Sequence, residues 1–198
     1  MVIEDLRKRL TREKAERDLL AKQLSETKRE LTNEENYLED CQKARAVVQT
    51  VAEQTQRKIE YHISNLVTMA LASVFPDPYE FALRFVPRRN KTEADLLFLK
   101  NKNEGDPIDI SGGGALDVAS FALRVAIWSI KPTRNTLILD EPGKFISRDL
   151  QSKFSDMIKH LSNKLGIQFI IVSHVPEITE SADMIFNVTN HAGESTVS

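Results

Sequence analysis

Hydrophobic residues recur at alternating steps of three and four over residues 1–75, a stretch without glycine or proline. This spacing is typical of a long helix with an apolar seam. The seam positions are Leu6, Leu10, Leu20, Leu24, Leu31, Leu38, Cys41, Val48 and Ala52. Polar residues such as Glu13 and Arg17 interrupt the seam. We therefore predict a coiled-coil helix over residues 1–60, either antiparallel or with a partner outside this chain; a lone solvated helix is the alternative.

The pattern changes further along, and we predict a globular lobe over residues 61–198. Pro76 ends the long helix because proline cannot continue it. Alternating apolar residues in Glu80–Val86 and the apolar run in Ala94–Lys100 predict a β-hairpin. The basic turn between them, Pro87–Lys91, is a candidate DNA-backbone contact, although exposed charged turns are usually only solvated.

The rest of the chain alternates between helical and strand patterns. We predict an apolar helix over Gly114–Ile130, a strand over Thr136–Asp140 and an amphipathic helix that ends at Gly166. A strand leading to His174 and a last strand over Met184–Val188 follow. This alternation predicts an α/β fold with a mainly parallel sheet.

A glycine-rich loop, Ser111-Gly112-Gly113-Gly114, precedes the apolar helix. Glycine allows close approach of the backbone, and the free N–H groups at a helix N-terminus favour an anion. The loop is therefore a candidate phosphate site, with a simple turn as the alternative.

Two strand ends carry the other candidate groups. Asp140 and Glu141 follow an apolar strand, where open α/β sheets bind ligands. One carboxylate suits Mg²⁺, usually through water, and its neighbour suits a base that orients an attacking water. His174, at the end of the next strand, can hydrogen-bond a terminal phosphate.

In order and spacing, these segments resemble the signature motif, Walker B strand and switch histidine of ABC-type ATPases. The preceding coiled coil makes the chain similar to the C-terminal lobe of the SMC and SbcC-like repair ATPase group. The resemblance implies a P-loop NTPase-like head that uses ATP and Mg²⁺. In it Glu141 and His174 are catalytic and Asp140 binds the metal. Ser111, Gly112, Gly113 and Gly114 bind the γ-phosphate of ATP held by a second head.

The family's phosphate loop, G-x-x-x-x-G-K-[ST], is absent from this sequence. We therefore expect the C-terminal half of such a protein, inactive as an ATPase until an N-terminal lobe, on the same or a separate chain, supplies that loop. Gly114 stands where the family commonly has Gln, Glu or Lys, and Ser147 stands where many members have Asp. The second departure puts the usual contact between heads in doubt.

The resemblance also implies a repair or recombination role, with a second head, a nuclease subunit and DNA as partners. A non-catalytic coiled-coil tether or regulator built on a degenerate lobe is the alternative, disfavoured because a tether needs neither carboxylates nor the histidine. Cys41 is the only cysteine, so this chain has no CxxC pair for the zinc hook that the family places at the coil tip.

Composition limits these possibilities further. The chain has 198 residues, is 41% hydrophobic and carries a net charge of -2, which argues against bulk attraction to nucleic acid. Any DNA contact must therefore be local. We expect no apolar run of membrane-spanning length, and the N-terminus lacks a signal-peptide core. These features predict a cytoplasmic protein without a membrane partner.

Overall fold

The first helix, α1 (Val2–Val74), has nearly the predicted extent of the long glycine- and proline-free stretch. The computed structural model describes residues 2–89, 91–131, 133–191 and 194–198. It divides into two units, Met1–Gln54 and Thr55–Ser198. The division lies within α1, a few residues before the predicted end of the coiled coil.

In the first unit the leucines of the predicted seam are exposed. Leu6, Leu10, Leu20, Leu24, Leu31 and Leu38 are each 56–58% exposed. Ion pairs one turn apart join Lys22 to Glu26 and Lys43 to Glu39. Such exposed pairs contribute only about 0.3–0.5 kcal/mol each. A helix of this length depends more on packing of its apolar face, so the coiled coil stays a prediction that requires a second helix.

In the second unit the end of α1 becomes part of the core. Ile63, Val67, Leu71 and Val74 are buried at intervals of three and four residues. The predicted hairpin follows as β1 (Glu80–Arg88) and β2 (Lys91–Lys100), with Asn90 of the predicted turn outside the described residues. A third strand, β3 (Asn103–Gly105), completes the antiparallel order β1-β2-β3.

The outer edge of β1 is covered by side chains of α1. Three residues one helical turn apart accept hydrogen bonds from alternate β1 amides, because four residues of helix and two of strand advance by nearly the same distance. The pairs are Glu60 with Phe85, Ser64 with Leu83 and Thr68 with Phe81. These contacts fix the register of α1 against β1 and satisfy an edge that would otherwise be open.

The remaining elements of the second unit include those that carry the candidate site. They are α2 (Pro107–Ile110), α3 (Gly113–Ile130), β4 (Thr136–Asp140), α4 (Arg148–Leu165), β5 (Gln168–Val172), α5 (Pro176–Thr179), β6 (Val188–His191) and β7 (Glu194–Val197). Strands β4 and β5 pair in parallel, and Gly166 ends α4 in the left-handed conformation with a φ of 66°. Phe121 of α3 packs against Phe154 of α4 and Phe169 of β5. Pro132, after α3, lies outside the described residues.

The sheet differs from the predicted one. Within the described residues only β4 and β5 are parallel, so a mainly parallel sheet is wrong, although helices and strands do alternate. The other strand pairs are antiparallel, and in each the two strands are only two residues apart in sequence, too few for a parallel crossover. Strands of parallel sheets are usually buried on both faces, but Ile138 and Val172 are exposed, so one face of the parallel pair is uncovered.

The last predicted strand is also misplaced. Residues 184–187 are not a strand, and the final pair is the hairpin of β6 and β7 in the polar tail. Met184, Ile185 and Phe186 are exposed. An apolar segment becomes a strand only when a neighbouring strand can pair with it, and composition does not supply that neighbour.

Helix α3 is the one helix within the described ranges that is long and apolar enough to cross a membrane, by length and composition alone. The expectation that no run reaches that length is therefore wrong. Residues buried along α3 include Val118, Phe121 and Val125, which pack into the core. Core helices commonly pass the same test, so α3 is weak support for a membrane span.

Candidate functional site

The parallel pair brings two of the predicted site residues together. Asp140 is in register with Val172, and the backbone N–H of Glu141 donates to the carbonyl of Val172 at 2.8 Å. The residues that follow β4 and β5 therefore lie at the same edge of the sheet. Glu141 and His174 make direct contact there, with 2.8 Å between Glu141 Oε1 and His174 Nδ1.

The environment of Glu141 is unusual for a surface carboxylate. Its side chain is 28% exposed, against 71% for the side chain of His174. The second oxygen, Oε2, is buried and has no hydrogen-bond partner among the described residues. The backbone of Glu141 has a φ of 47°, which costs a residue with a Cβ conformational energy. Strain together with an unpaired oxygen is typical of a functional position.

The contact also affects ionisation. The hydrogen bond with His174 lowers the pKa of Glu141 below its ordinary value, and the charges of His174 and Lys144 act in the same direction. Desolvation opposes this lowering of the Glu141 pKa without reversing it. Glu141 is therefore ionised at neutral pH and acts as a hydrogen-bond acceptor.

The lowered pKa predicts a contribution to acid unfolding. A carboxylate whose folded pKa is depressed stabilises the fold above its ordinary pKa of about 4.3, and the stabilisation is lost as pH falls through the folded value. We expect the free energy of unfolding of the wild type to fall more steeply below about pH 4.3 than that of Glu141→Gln. Urea titrations between about pH 6 and pH 3 measure both slopes. The carboxylate of Glu104, whose pKa is also lowered, is present in both proteins and contributes equally to both slopes. Equal slopes would therefore show that Glu141 contributes nothing and would contradict the prediction.

Asp140, the predicted metal ligand, is exposed at the end of β4. No cluster of three or more His, Cys, Asp or Glu side chains that could hold a metal occurs in the described part of the chain. Mg²⁺ is usually bound by one or two carboxylates together with substrate phosphates and water. A single carboxylate beside Glu141 therefore fits a magnesium ion shared with a nucleotide, rather than one enclosed by the protein.

The glycine-rich loop lies between two helices. Ser111 is the C-cap of α2, and its hydroxyl donates to the carbonyl of Pro107 at 2.6 Å. Gly112 is the N-cap of α3, with an ordinary φ of -84°. A Cβ added at Gly112 would meet no atom within 4 Å. The packing and conformation of this chain therefore do not require glycine at position 112.

The next two glycines have a packing role within the chain. A Cβ on Gly113 would lie 3.0 Å from Cβ of Phe145, and one on Gly114 would lie 3.0 Å from the carbonyl oxygen of Phe145. The segment Gly143–Ser147, which we call the post-strand loop, therefore lies directly on the start of α3. The sequence analysis considered an anion site or a simple turn for these glycines, and it missed this contact.

A cavity of about 340 Å³ lies beside the glycine-rich loop. Its lining residues are Phe75, Asp77, Tyr79, Gly112, Gly113, Gly114, Ala115, Phe145 and Ser147. The glycine-rich loop and the post-strand loop thus share one surface. No hydrogen bond joins the glycine-rich loop to Glu141 or His174 in the ranges that the structure describes.

One residue that sequence reasoning missed is Asp117. Its Oδ2 accepts a hydrogen bond from the backbone N–H of Phe145 at 2.8 Å. The available signal was the single carboxylate in a largely apolar helix, placed in its second turn.

Comparison with known proteins adds a family relationship. No family model matches the chain. The chain is 34% identical over 94 residues to the DNA double-strand break repair Rad50 ATPase of Thermoplasma acidophilum. This match covers 46% of this chain and 10% of that protein. The chain is also 26% identical over 148 residues to the Rad50 ATPase of Archaeoglobus fulgidus. This match covers 74% of this chain and 16% of that protein.

A solved structure from work on "ATP-driven dimerization and DNA stimulated activation of SMC ATPases" has a similar fold. Its TM-score is 0.57 at 21% identity, over 74% of this chain and 87% of that one. The chain thus spans a small part of the length of its Rad50 relatives and much of one SMC structure. Over about 74% of its length, the chain is thus similar in sequence to a Rad50 ATPase and similar in fold to a structure from work on SMC ATPases.

Proposed function

We propose that this chain supplies the C-terminal half of an ATP-hydrolysing head in a DNA repair or recombination ATPase. The observation that carries the proposal is the contact between Glu141 and His174 at the C-terminal ends of adjacent parallel strands. Open α/β sheets bind ligands at this end of their strands. The relationship to the Rad50 ATPases supports the same chemistry.

Each residue has a distinct role in this proposal. Glu141 orients and deprotonates the attacking water: Oε1 is fixed by His174, and the unpaired Oε2 is the oxygen that receives the water proton. His174 links Glu141 to the terminal phosphate of ATP. Asp140 would hold Mg²⁺ through water, and the ion would neutralise charge on the phosphates.

The glycine-rich loop serves a different nucleotide. Ser111 to Gly114 face ATP held by a second head, since Gly112 is exposed and a Cβ placed there would have no atom of the described residues within 4 Å. The proposed partners are an N-terminal lobe with the phosphate loop and a second head, together with the nuclease subunit and DNA that the family resemblance implies.

The direct test is complementation. The chain alone should neither bind ATP tightly nor hydrolyse it, because the phosphate loop and its lysine supply most of the affinity and positioning. Both activities should appear when an N-terminal lobe carrying that loop is added. Calorimetric titration with Mg·ATP, before and after addition, measures this. Micromolar ATP binding and turnover by the chain alone would show that the site is not divided between two lobes. No gain of ATP binding or hydrolysis after the N-terminal lobe is added would overturn the ATPase assignment.

The role of Gly112 can be tested apart from stability. Asp is a better N-cap than Gly, so Gly112→Asp should leave the free energy of unfolding unchanged or raise it by a few tenths of a kcal/mol. Its charge should nevertheless repel a phosphate and abolish ATP-dependent association of heads. Sedimentation with a non-hydrolysable ATP analogue measures the dimer fraction. Gly112→Asn, similar in size but uncharged, is the matched control, and an unchanged dimer fraction in Gly112→Asp would refute the assignment.

The alternative, a non-catalytic coiled-coil tether, is favoured by the exposed leucine seam of α1. A tether would self-associate through that seam whether or not nucleotide is present. Concentration-dependent association without ATP, combined with no hydrolysis after complementation, would favour the tether.

A further inference from the structure

The post-strand loop is held closely against the core. Gly143, two residues after Glu141, has a φ of 79°, and a Cβ there would lie 2.8 Å from the ring of Phe154. The carbonyl of Ile146 accepts a hydrogen bond from Nε2 of the buried Gln151 at 3.1 Å. The loop therefore has little freedom to move independently of the residues on either side of it.

The start of α3 contacts this loop at Phe145. The backbone N–H of Phe145 donates to Asp117 Oδ2 at 2.8 Å. The ring and carbonyl of Phe145 lie over Gly113 and Gly114, where no Cβ would fit without displacement. A charge-assisted hydrogen bond and two glycine contacts thus connect α3 to a single residue of the loop.

We propose that Asp117 is a positioning residue that couples the glycine-rich loop to Glu141 through the post-strand loop. The functional part of this inference rests on the proposed ATPase. Glu141 keeps its strained φ only while its surroundings hold it, and Phe145 is four residues away along a constrained loop. A contact made at the glycine-rich loop by the second head's nucleotide therefore changes the geometry of Glu141 and His174.

Amide hydrogen exchange, measured by NMR on the whole chain, tests the coupling without ATP. Asp117→Ala should speed exchange at the N–H of Phe145 and also at that of Glu141 by about tenfold or more, the factor expected for loss of one hydrogen bond to a charged group. Asp117→Asn keeps an acceptor oxygen and should restore exchange close to wild type.

Ser64→Ala is the matched control, since it removes a side-chain acceptor from the N–H of Leu83 at 2.9 Å, outside the site. This substitution should speed amide exchange at Leu83 and leave amide exchange at Glu141 unchanged. The proposal would be overturned by wild-type exchange at Glu141 in Asp117→Ala. Equal acceleration at Glu141 in Ser64→Ala would also overturn it, because the effect would then be general loss of stability.

A second measurement uses the chain complemented with an N-terminal lobe. Asp117→Ala should lower kcat about tenfold with KM for ATP unchanged, because Asp117 acts on Glu141 rather than on ATP binding. Asp117→Asn should retain most of the wild-type kcat. An unchanged kcat in Asp117→Ala would overturn the catalytic consequence. If the wild-type assembly were inactive, the proposed function would fail, while the exchange result would still decide the coupling.

Discussion

Glu141→Gln should lower kcat for ATP hydrolysis by about 10²–10⁴-fold in the chain complemented with an N-terminal lobe, the usual contribution of a general base. ATP-dependent association of heads should be intact or prolonged. Glutamine keeps the size of the side chain and an acceptor oxygen for His174, but it cannot take a proton from water. Single-turnover hydrolysis measures the chemical step, and sedimentation measures association.

The control for this variant is Glu180→Gln, an exposed carboxylate after α5 that should leave kcat unchanged. Hydrolysis by Glu141→Gln at the wild-type rate would show that another group orients the water. Simultaneous loss of association would instead indicate that Glu141 positions the nucleotide. The unpaired Oε2 of Glu141 favours the role in hydrolysis.

The secondary structure around the site could be predicted because its signals are local. The absence of glycine and proline predicted α1 as a helix, and Gly166 marked the end of α4. Short apolar runs with polar ends predicted the end of β4 at Asp140 and placed His174 at the end of the next strand, although β5 ends two residues earlier, at Val172. Parallel pairing then places such ends at one edge, although the 2.8 Å contact between Glu141 and His174 depends on strand register.

The features that could not be predicted depend on neighbours distant in sequence. Met184–Val188 has strand composition, but only Val188 joins a strand, β6, and the apolar side chains of residues 184–186 are exposed because no strand pairs with them in the described part of the chain. The sequence offered an anion site or a simple turn for Gly113 and Gly114, whereas their contact with Phe145 depends on the loop after β4, which packs on the start of α3. Asp117 follows the glycine-rich loop but is not one of its motif residues, and its role depends on the loop that packs there.

Phe154→Ala should destabilise the second unit by about 3–5 kcal/mol, the cost of deleting a fully buried phenylalanine ring. The side chain is 0% exposed, packs edge-to-face on Phe121 at 5.5 Å and contacts the post-strand loop at Gly143. The cavity cannot close easily because Gly143 holds a left-handed conformation. Urea unfolding followed by the fluorescence of Trp128, the single tryptophan, measures the change.

The matched control is Phe186→Ala, because Phe186 is 68% exposed and its removal creates no cavity. This change should alter the free energy of unfolding by no more than about 0.5 kcal/mol. Equal effects of the two substitutions would contradict the assignment of Phe154 to the core. In Phe154→Ala the N–H of Phe145 should also exchange faster, since the ring supports the loop that presents this amide to Asp117. Loss of the ring therefore weakens the fold and the position of Glu141 through the same contact at Gly143.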